Sequence, residues 1–289
     1  MSDGGRHVRI DDADLWVVER GPDDGLPLVV LHGGPGLDHH EFGDYLDPLC
    51  DRGVRLVLTD LRANGRSEMT PASTWTLERM AQDVIMLALA LKLDRYAVLG
   101  HSYGAFVALQ NAVDYPGMAA ATIVSGGIAS TRFMEGVQAA LDAFEPVELR
   151  EQVAASWARE AQVESPEDVA SLMHDQWPFH FKDPLDPRIE DYERRTAGSV
   201  YSPEVLRHFA TADYGGIEVE DRLADVTQPV LVLAGRHDRV CPAAASEGMA
   251  ELLPNARLHV FEDSAHMMFV EQQQEFLDVV AGFLAEVSR

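Results

Sequence analysis

The stretch that most constrains this chain is Gly100-His101-Ser102-Tyr103-Gly104. It follows the apolar run Tyr96-Ala97-Val98-Leu99 and precedes Ala105-Phe106-Val107-Ala108-Leu109, which reads as a helix. A strand that turns through Gly-x-Ser-x-Gly into a helix leaves no room for side chains at the glycines and strains the serine backbone. The turn exposes the Ser102 hydroxyl at a helix N-terminus, where unpaired N–H groups favour developing negative charge. A serine so placed is either a helix N-cap or a nucleophile. The nucleophile needs a base, a carboxylate and oxyanion donors from elsewhere in the chain.

Taken in order, Val8-Arg9-Ile10 and Leu15-Trp16-Val17-Val18-Glu19 read as an N-terminal hairpin. The run Pro27-Leu28-Val29-Val30-Leu31 has the continuous apolar character of a buried parallel strand and empties into His32-Gly33-Gly34-Pro35-Gly36. A rigid glycine loop after a central strand can aim N–H groups at an oxyanion. We expect one donor from Gly34, give or take one residue, and a second from the N–H of Tyr103, next after the serine. The segment Asp60-Leu61-Arg62-Ala63-Asn64-Gly65-Arg66-Ser67 follows the strand Val54–Thr59 and reads as a hydrogen-bonded loop. Leu77 to Leu91 carries apolar residues at i, i+3 and i+4, with Thr76 as N-cap. A further strand, Ala119–Val124, follows the helix after Ser102.

Between Ile128 and Val226 strand patterns vanish, and helical stretches alternate with proline-bearing turns. We read residues 128–226 as a helical cap inserted in an α/β core of residues 1–127 and 227–289. Trp177 and Tyr201 are candidates among its aromatics to line a substrate pocket. Strand character returns at Pro229–Ala234, followed by Gly235-Arg236-His237-Asp238, and again at Ala256–Phe261, followed by Glu262-Asp263-Ser264-Ala265-His266. Met267 to Val287 closes the chain as a helix. Alternating strands and helices predict a mostly parallel sheet covered on both faces.

Ser102, Asp238 and His266 each follow a strand, so a parallel sheet delivers all three to one edge. A serine hydroxyl needs a base at neutral pH. His266 fits that role, returning the proton to the leaving group, while Asp238 fixes its tautomer and stabilises the imidazolium. Asp263 is the rival carboxylate, but it shares a loop with the base. His32 and His101 read as support for the loops they flank. No residue set calls for a metal or a cofactor.

Composition narrows the partners. With 48 acidic against 23 basic residues and a net charge of −25, nucleic acid and anionic membranes are unfavourable. No apolar run approaches a membrane span. Residues 1–6 lack the apolar stretch of a secretory signal, and Cys50 and Cys241 read as reduced, so we expect a cytoplasmic protein, monomeric or dimeric.

The sequence resembles the α/β-hydrolases, most closely the proline iminopeptidase group. The resemblance rests on His32-Gly33-Gly34-Pro35-Gly36, Asp60-x-Arg62-x-x-Gly65-x-Ser67, Gly100-x-Ser102-Tyr103-Gly104, Gly235-x-x-Asp238 and Ala265-His266. It implies a cofactor-free serine hydrolase that forms an acyl-enzyme on a small substrate, an N-terminal prolyl peptide or amide. A carboxylesterase or lactonase is the alternative; a hydrolase-fold receptor and a carbon–carbon hydrolase stand behind it. The resemblance also implies acidic residues for a substrate amine, for which Glu204 is the cap candidate. Two departures stand out. Ala63 replaces a glycine, which should tighten its loop, and Arg239 follows Asp238, where a cation would repel an ammonium group.

Overall fold

The computed structural model describes residues 4–288; the first three residues of the stretch read for a secretory signal lie outside them. The apolar runs form one sheet from β1 (Arg6–Arg9), β2 (Asp14–Arg20), β3 (Leu26–Leu31), β4 (Val54–Thr59), β5 (Ala97–His101), β6 (Ala121–Ser125), β7 (Val230–Gly235) and β8 (Ala256–Phe261). Their order is β1-β2-β4-β3-β5-β6-β7-β8. β2 runs antiparallel to both β1 and β4, and every later pairing is parallel. The N-terminal hairpin forms with Val8 opposite Leu15.

The helices are α1 (Leu77–Ala90), α2 (Tyr103–Asp114), α3 (Glu135–Asp142), α4 (Val147–Arg159), α5 (Pro166–His180), α6 (Arg188–Arg195), α7 (Pro203–Ala210), α8 (Ala243–Leu252), α9 (Met268–Glu271) and α10 (Gln273–Val287). Alternate strand residues go to opposite faces, as the pleat requires. Val29, Leu31, Val98, Val230 and Val232 pack with α1, α2 and α8. Leu28, Val30, Leu99, Leu231 and Leu233 pack with α9, α10 and part of the segment between β6 and β7. Both faces are therefore dry, which is why the strand sequences are continuously apolar.

Local signals account for several boundaries. Thr76 caps α1 by accepting from the Arg79 N–H, and Ser165 forms a capping box with Asp168 at the start of α5. The expected single helix from Met267 is broken at Gln272, whose φ of −127° and ψ of 51° leave the helical region. Its side-chain oxygen instead accepts from the Asp263 N–H and the Ser264 hydroxyl, binding α10 to the loop that carries His266. The loop after β4 is held as expected. Asp60 accepts from the N–H groups of His39 and Arg66, and buried Arg62 pairs with Asp83 and Asp12. Ala63 corrects the expectation that it tightens this loop. It sits at φ 62°, a left-handed conformation that costs an alanine roughly 1 kcal/mol, so it strains the turn.

Helices α3 to α7 all lie between β6 and β7. Their segment is stitched to the loops after β3 and β4. Ser202 N–H donates to the Gly36 carbonyl, the Val200 N–H to Asp38, and the Gly65 N–H to the Ser202 hydroxyl. Among the described residues no helix is long and apolar enough to cross a membrane.

Gly235 sets the spacing of the two C-terminal loops. A Cβ there would lie 1.8 Å from the Ala265 carbonyl oxygen and 2.7 Å from its carbon. Backbone cannot yield to that overlap, so Gly235→Ala should destabilise the fold by about 3 kcal/mol, the upper range for overpacking. Urea unfolding measures it; a midpoint unchanged at constant slope would contradict the close approach.

Candidate active site

Ser102 leaves β5 and opens α2 with φ 53° and ψ −120°, strained geometry that a non-glycine residue adopts only when its surroundings enforce it. The enforcement is steric. A Cβ on Gly100 would meet the Gly104 carbonyl oxygen at 2.0 Å, and one on Gly104 would meet the Leu31 and His32 carbonyls at 2.3 and 2.5 Å. The elbow thus turns tightly and packs against the end of β3. Although Ser102 occupies the N-cap position, its side chain makes no capping hydrogen bond. Its place is in the wall of a cavity of about 440 Å³.

His266 lines the same cavity. Its Nδ1 lies 2.7 Å from Asp238 Oδ2, and both side chains are buried. The other Asp238 oxygen accepts from the N–H groups of Val240 and Cys241, each at 2.8 Å. Burial alone would raise the Asp238 carboxyl, but His266 and those two donors hold it below the ordinary carboxylate range. A carboxylate acceptor at Nδ1 assigns the proton to that nitrogen and leaves Nε2 as the basic one. Asp263, the rival, is exposed and pairs with Lys182. Asp238 is the one the fold brings to the histidine.

The glycine loop closes the other side. Gly34 has φ 41°, a left-handed conformation, and lines the cavity beside Pro35 and Tyr103. A Cβ on Gly33 would stand 2.9 Å from Ser102 Cβ, so the loop is in direct contact with the elbow. Tyr103 is the first residue of α2, and its N–H has no partner within the helix. His32 accepts from the Leu61 N–H on Nε2, so its Nδ1 proton is donated to the Gly33 carbonyl. It holds the loop, as expected of it. This set of groups can deliver a proton-accepting nitrogen, a hydroxyl and oxyanion donors to one acyl carbon.

One face of α5 roofs the cavity: Met173, Gln176, Trp177 and His180 all line it, at i, i+3, i+4 and i+7. His180 Nδ1 lies 3.0 Å from the Gln176 carbonyl, its ring faces Trp157 nearly parallel at 6.1 Å, and it sits 5.4 Å from the His266 ring. Burial, reinforced by the neighbouring His266, pushes its pKa down to about 3, so it is neutral. The Nδ1 proton goes to Gln176, which leaves Nε2 as an acceptor. Glu160, at the end of α4, also lines the cavity and is buried. It accepts from the Tyr214 hydroxyl and, at 2.8 Å, from Gln176 Nε2. Burial raises its carboxyl despite those two hydrogen bonds. Tyr214 itself sits at φ 50°, between Asp213 at 45° and Gly215 at 91°. Among the described residues the lining contains no lysine or arginine and is otherwise mostly apolar.

The remaining sequence candidates divide. Trp177 is in the lining. Tyr201 is not; it lines an adjoining cavity of about 290 Å³ that shares Leu37, Glu41, Met173 and Trp177 with the first. Glu204 is exposed in the first turn of α7 and outside both linings, so its carboxylate stabilises a helix start. The inserted segment's carboxylate at the cavity is Glu160, which the sequence reading missed. The concern over Arg239 also falls away. Its guanidinium donates to the carbonyls of Phe179, Phe181 and Lys182 at the end of α5, away from the lining. It anchors that helix beside His266, whose backbone N–H donates to the His180 carbonyl at 2.9 Å. Glu271 adds a second tie, accepting from the N–H groups of Lys182 and Ala265.

Comparison with known proteins agrees with this architecture. A family model described as alpha/beta hydrolase fold matches residues 27–273. The curated "Proline iminopeptidase" of Heyndrickxia coagulans is 27% identical over 272 residues, covering 91% of this chain and 92% of its own. The "Magnesium-chelatase 30 kDa subunit" of Rhodobacter capsulatus is 32% identical over 282 residues, covering 90% and 87%. Among solved structures, the proline iminopeptidase of Mycobacterium smegmatis superposes with a TM-score of 0.76 at 26% identity, over 98% of each chain. The chain belongs to the alpha/beta hydrolase fold family and is a hydrolase of proline iminopeptidase-like type.

Proposed function

We propose that this hydrolase removes a small acyl group bearing a free amine, as in an N-terminal prolyl peptide or amide, through an acyl-enzyme on Ser102. In this reading His266 Nε2 takes the hydroxyl proton and Ser102 Oγ attacks the acyl carbon. The Gly34 and Tyr103 N–H groups hold the oxyanion, and imidazolium His266, steadied by Asp238, protonates the departing amine. Water then enters by the same route and releases the acid. Residues 128–226 act as the cap that shapes the acyl pocket, with Trp177 on its wall. The small cavity suits a small molecule or peptide terminus, and the free cysteines suit a cytoplasmic setting.

Glu160 carries the amine assignment. It is a buried carboxylate in the lining whose partners are neutral donors, in a wall with no lysine or arginine among the described residues. A substrate ammonium would supply the missing positive charge, and neutral His180 can accept a further N–H. The proline iminopeptidase names among the relatives point the same way.

Hydrolysis of proline naphthylamide by wild type should vanish in Ser102→Ala; full activity in that variant would refute the mechanism. Glu160→Gln should raise KM for the prolyl amide by about 10-fold or more, the worth of a charged hydrogen bond. It should leave hydrolysis of an amine-free p-nitrophenyl ester unchanged. An equal loss on both substrates, or turnover of esters alone by wild type, would overturn amine recognition.

His180 makes a pH prediction. A histidine free in the unfolded chain titrates near 6.5, and in the fold near 3, so between those values the unfolded state binds the extra proton. Its contribution to stability is complete above pH 6.5 and is lost as pH falls toward 3, at about 1.4 kcal/mol per unit. His180→Phe should flatten denaturation midpoints over that window. An unchanged pH slope would contradict burial of a neutral ring.

A further inference from the structure

Two carboxylates line the cavity and differ in what neutralises them. Glu160 has neutral donors, whereas Glu41 faces a histidine. Glu41 follows the glycine loop, and one of its oxygens accepts the Gly33 N–H. Its other oxygen lies 2.9 Å from His101 Nδ1. The opposite nitrogen, His101 Nε2, lies 3.0 Å from the carbonyl oxygen of His266. Both ring nitrogens therefore face oxygens: the His266 carbonyl, which carries no proton, and Glu41, whose carboxyl His101 and the Gly33 N–H hold below its ordinary range against burial. Against an ionised Glu41, a neutral imidazole with its one N–H would leave one of these close contacts as a repulsion between lone pairs. An imidazolium satisfies both.

We propose that His101 is an imidazolium at neutral pH, and that with Glu41 it forms a buried positioning pair that fixes the oxyanion loop to the loop of the catalytic base.

The pair spans the site. From His101, at the end of β5, it reaches Gly33 through Glu41 on one side and the His266 backbone on the other. The Phe42 and Phe269 rings stand steeply inclined to the His101 ring, and the His266 ring lies 4.8 Å away. The charged or titratable groups bearing on it are Glu41, Asp238, His266 and His180. Burial acts against charge on both partners, yet the pairing holds the His101 pKa above its ordinary value and the Glu41 pKa below its own. Such a pair is costly to bury and strongly destabilising to break on one side, so it serves geometry better than net stability. It also leaves Glu41 occupied, so that Glu160 remains the carboxylate open to a substrate cation.

This inference rests on His266 being the base, and two measurements test it. Nitrogen NMR on protein labelled in histidine reads the charge without substrate. At pH 7.5 His101, assigned through contacts to Phe42 and Phe269 protons, should show both nitrogens protonated; a single protonated nitrogen overturns the proposal. In kinetics, Glu41→Gln should lower kcat by about 100-fold, the cost of a small misplacement, with KM held within about threefold. Unchanged kcat, or a loss carried by KM, overturns the positioning role. Should Glu41→Gln fail to fold, the wild-type NMR result decides. Ser102→Ala on the same substrate separates the two readings. If it stays active, the nucleophile assignment has failed. If it is inert while Glu41→Gln behaves as wild type, only the positioning pair has failed.

Discussion

A Cβ at residue 100 would stand 2.0 Å from the Gly104 carbonyl oxygen, and most of the site follows from that contact. The chain can reverse this tightly only with glycine on both sides, and reversing there forces Ser102 to φ 53°. Because Gly104 also abuts the Leu31 and His32 carbonyls, the elbow cannot be built apart from the glycine loop after β3. Strain at one serine is thus maintained by packing among three neighbouring parallel strands, β3, β5 and β6, whose backbone also receives the Ser102 N–H at Ser125. The rigid sheet provides the over-determination that such a conformation requires.

Around that fixed point, short-range order and long-range charge divide the labour. Asp238, His266 and the glycine loop are each set by the register of a strand end and by backbone hydrogen bonds within a few residues. The helices of the inserted segment are held differently. Arg239 caps the final carbonyls of α5, Glu271 bridges the Lys182 and Ala265 N–H groups, and the His180 carbonyl receives the His266 N–H. Three ties join the roof of the cavity to the loops that carry Asp238 and His266. A roof so attached near His266 gives the pocket a defined wall there, with Trp177 and His180 on it.

What could be read from the sequence was what is local. The elbow, the glycine loop and the carboxylate and histidine after the last two strands announce themselves by residues a few positions apart. The sheet followed from continuous apolar runs, with the hairpin strand displaced toward the N-terminus. The rest depends on how distant segments pack. Glu160 looks like any glutamate at a helix end, and its burial arises from Tyr214 and Gln176, 54 and 16 residues away. Glu204, two positions after a serine at a helix start, offered a better local pattern and turned out exposed. Arg239 was judged by its neighbour in sequence, whereas its side chain turns to α5. One signal was available: Gln176 and His180 stand on the same stripe of α5 as Met173 and Trp177, where polar residues at core spacing suggest a cavity.

The central claim is that Ser102 is an activated nucleophile and not a helix cap. Intact-mass analysis after stoichiometric diisopropyl fluorophosphate, followed by peptide mapping, addresses it without knowledge of the substrate. The account predicts one phosphoryl adduct per chain, on Ser102, with labelling strongly slowed in His266→Ala. A protein left unlabelled while folded, or labelled on another residue, would contradict it.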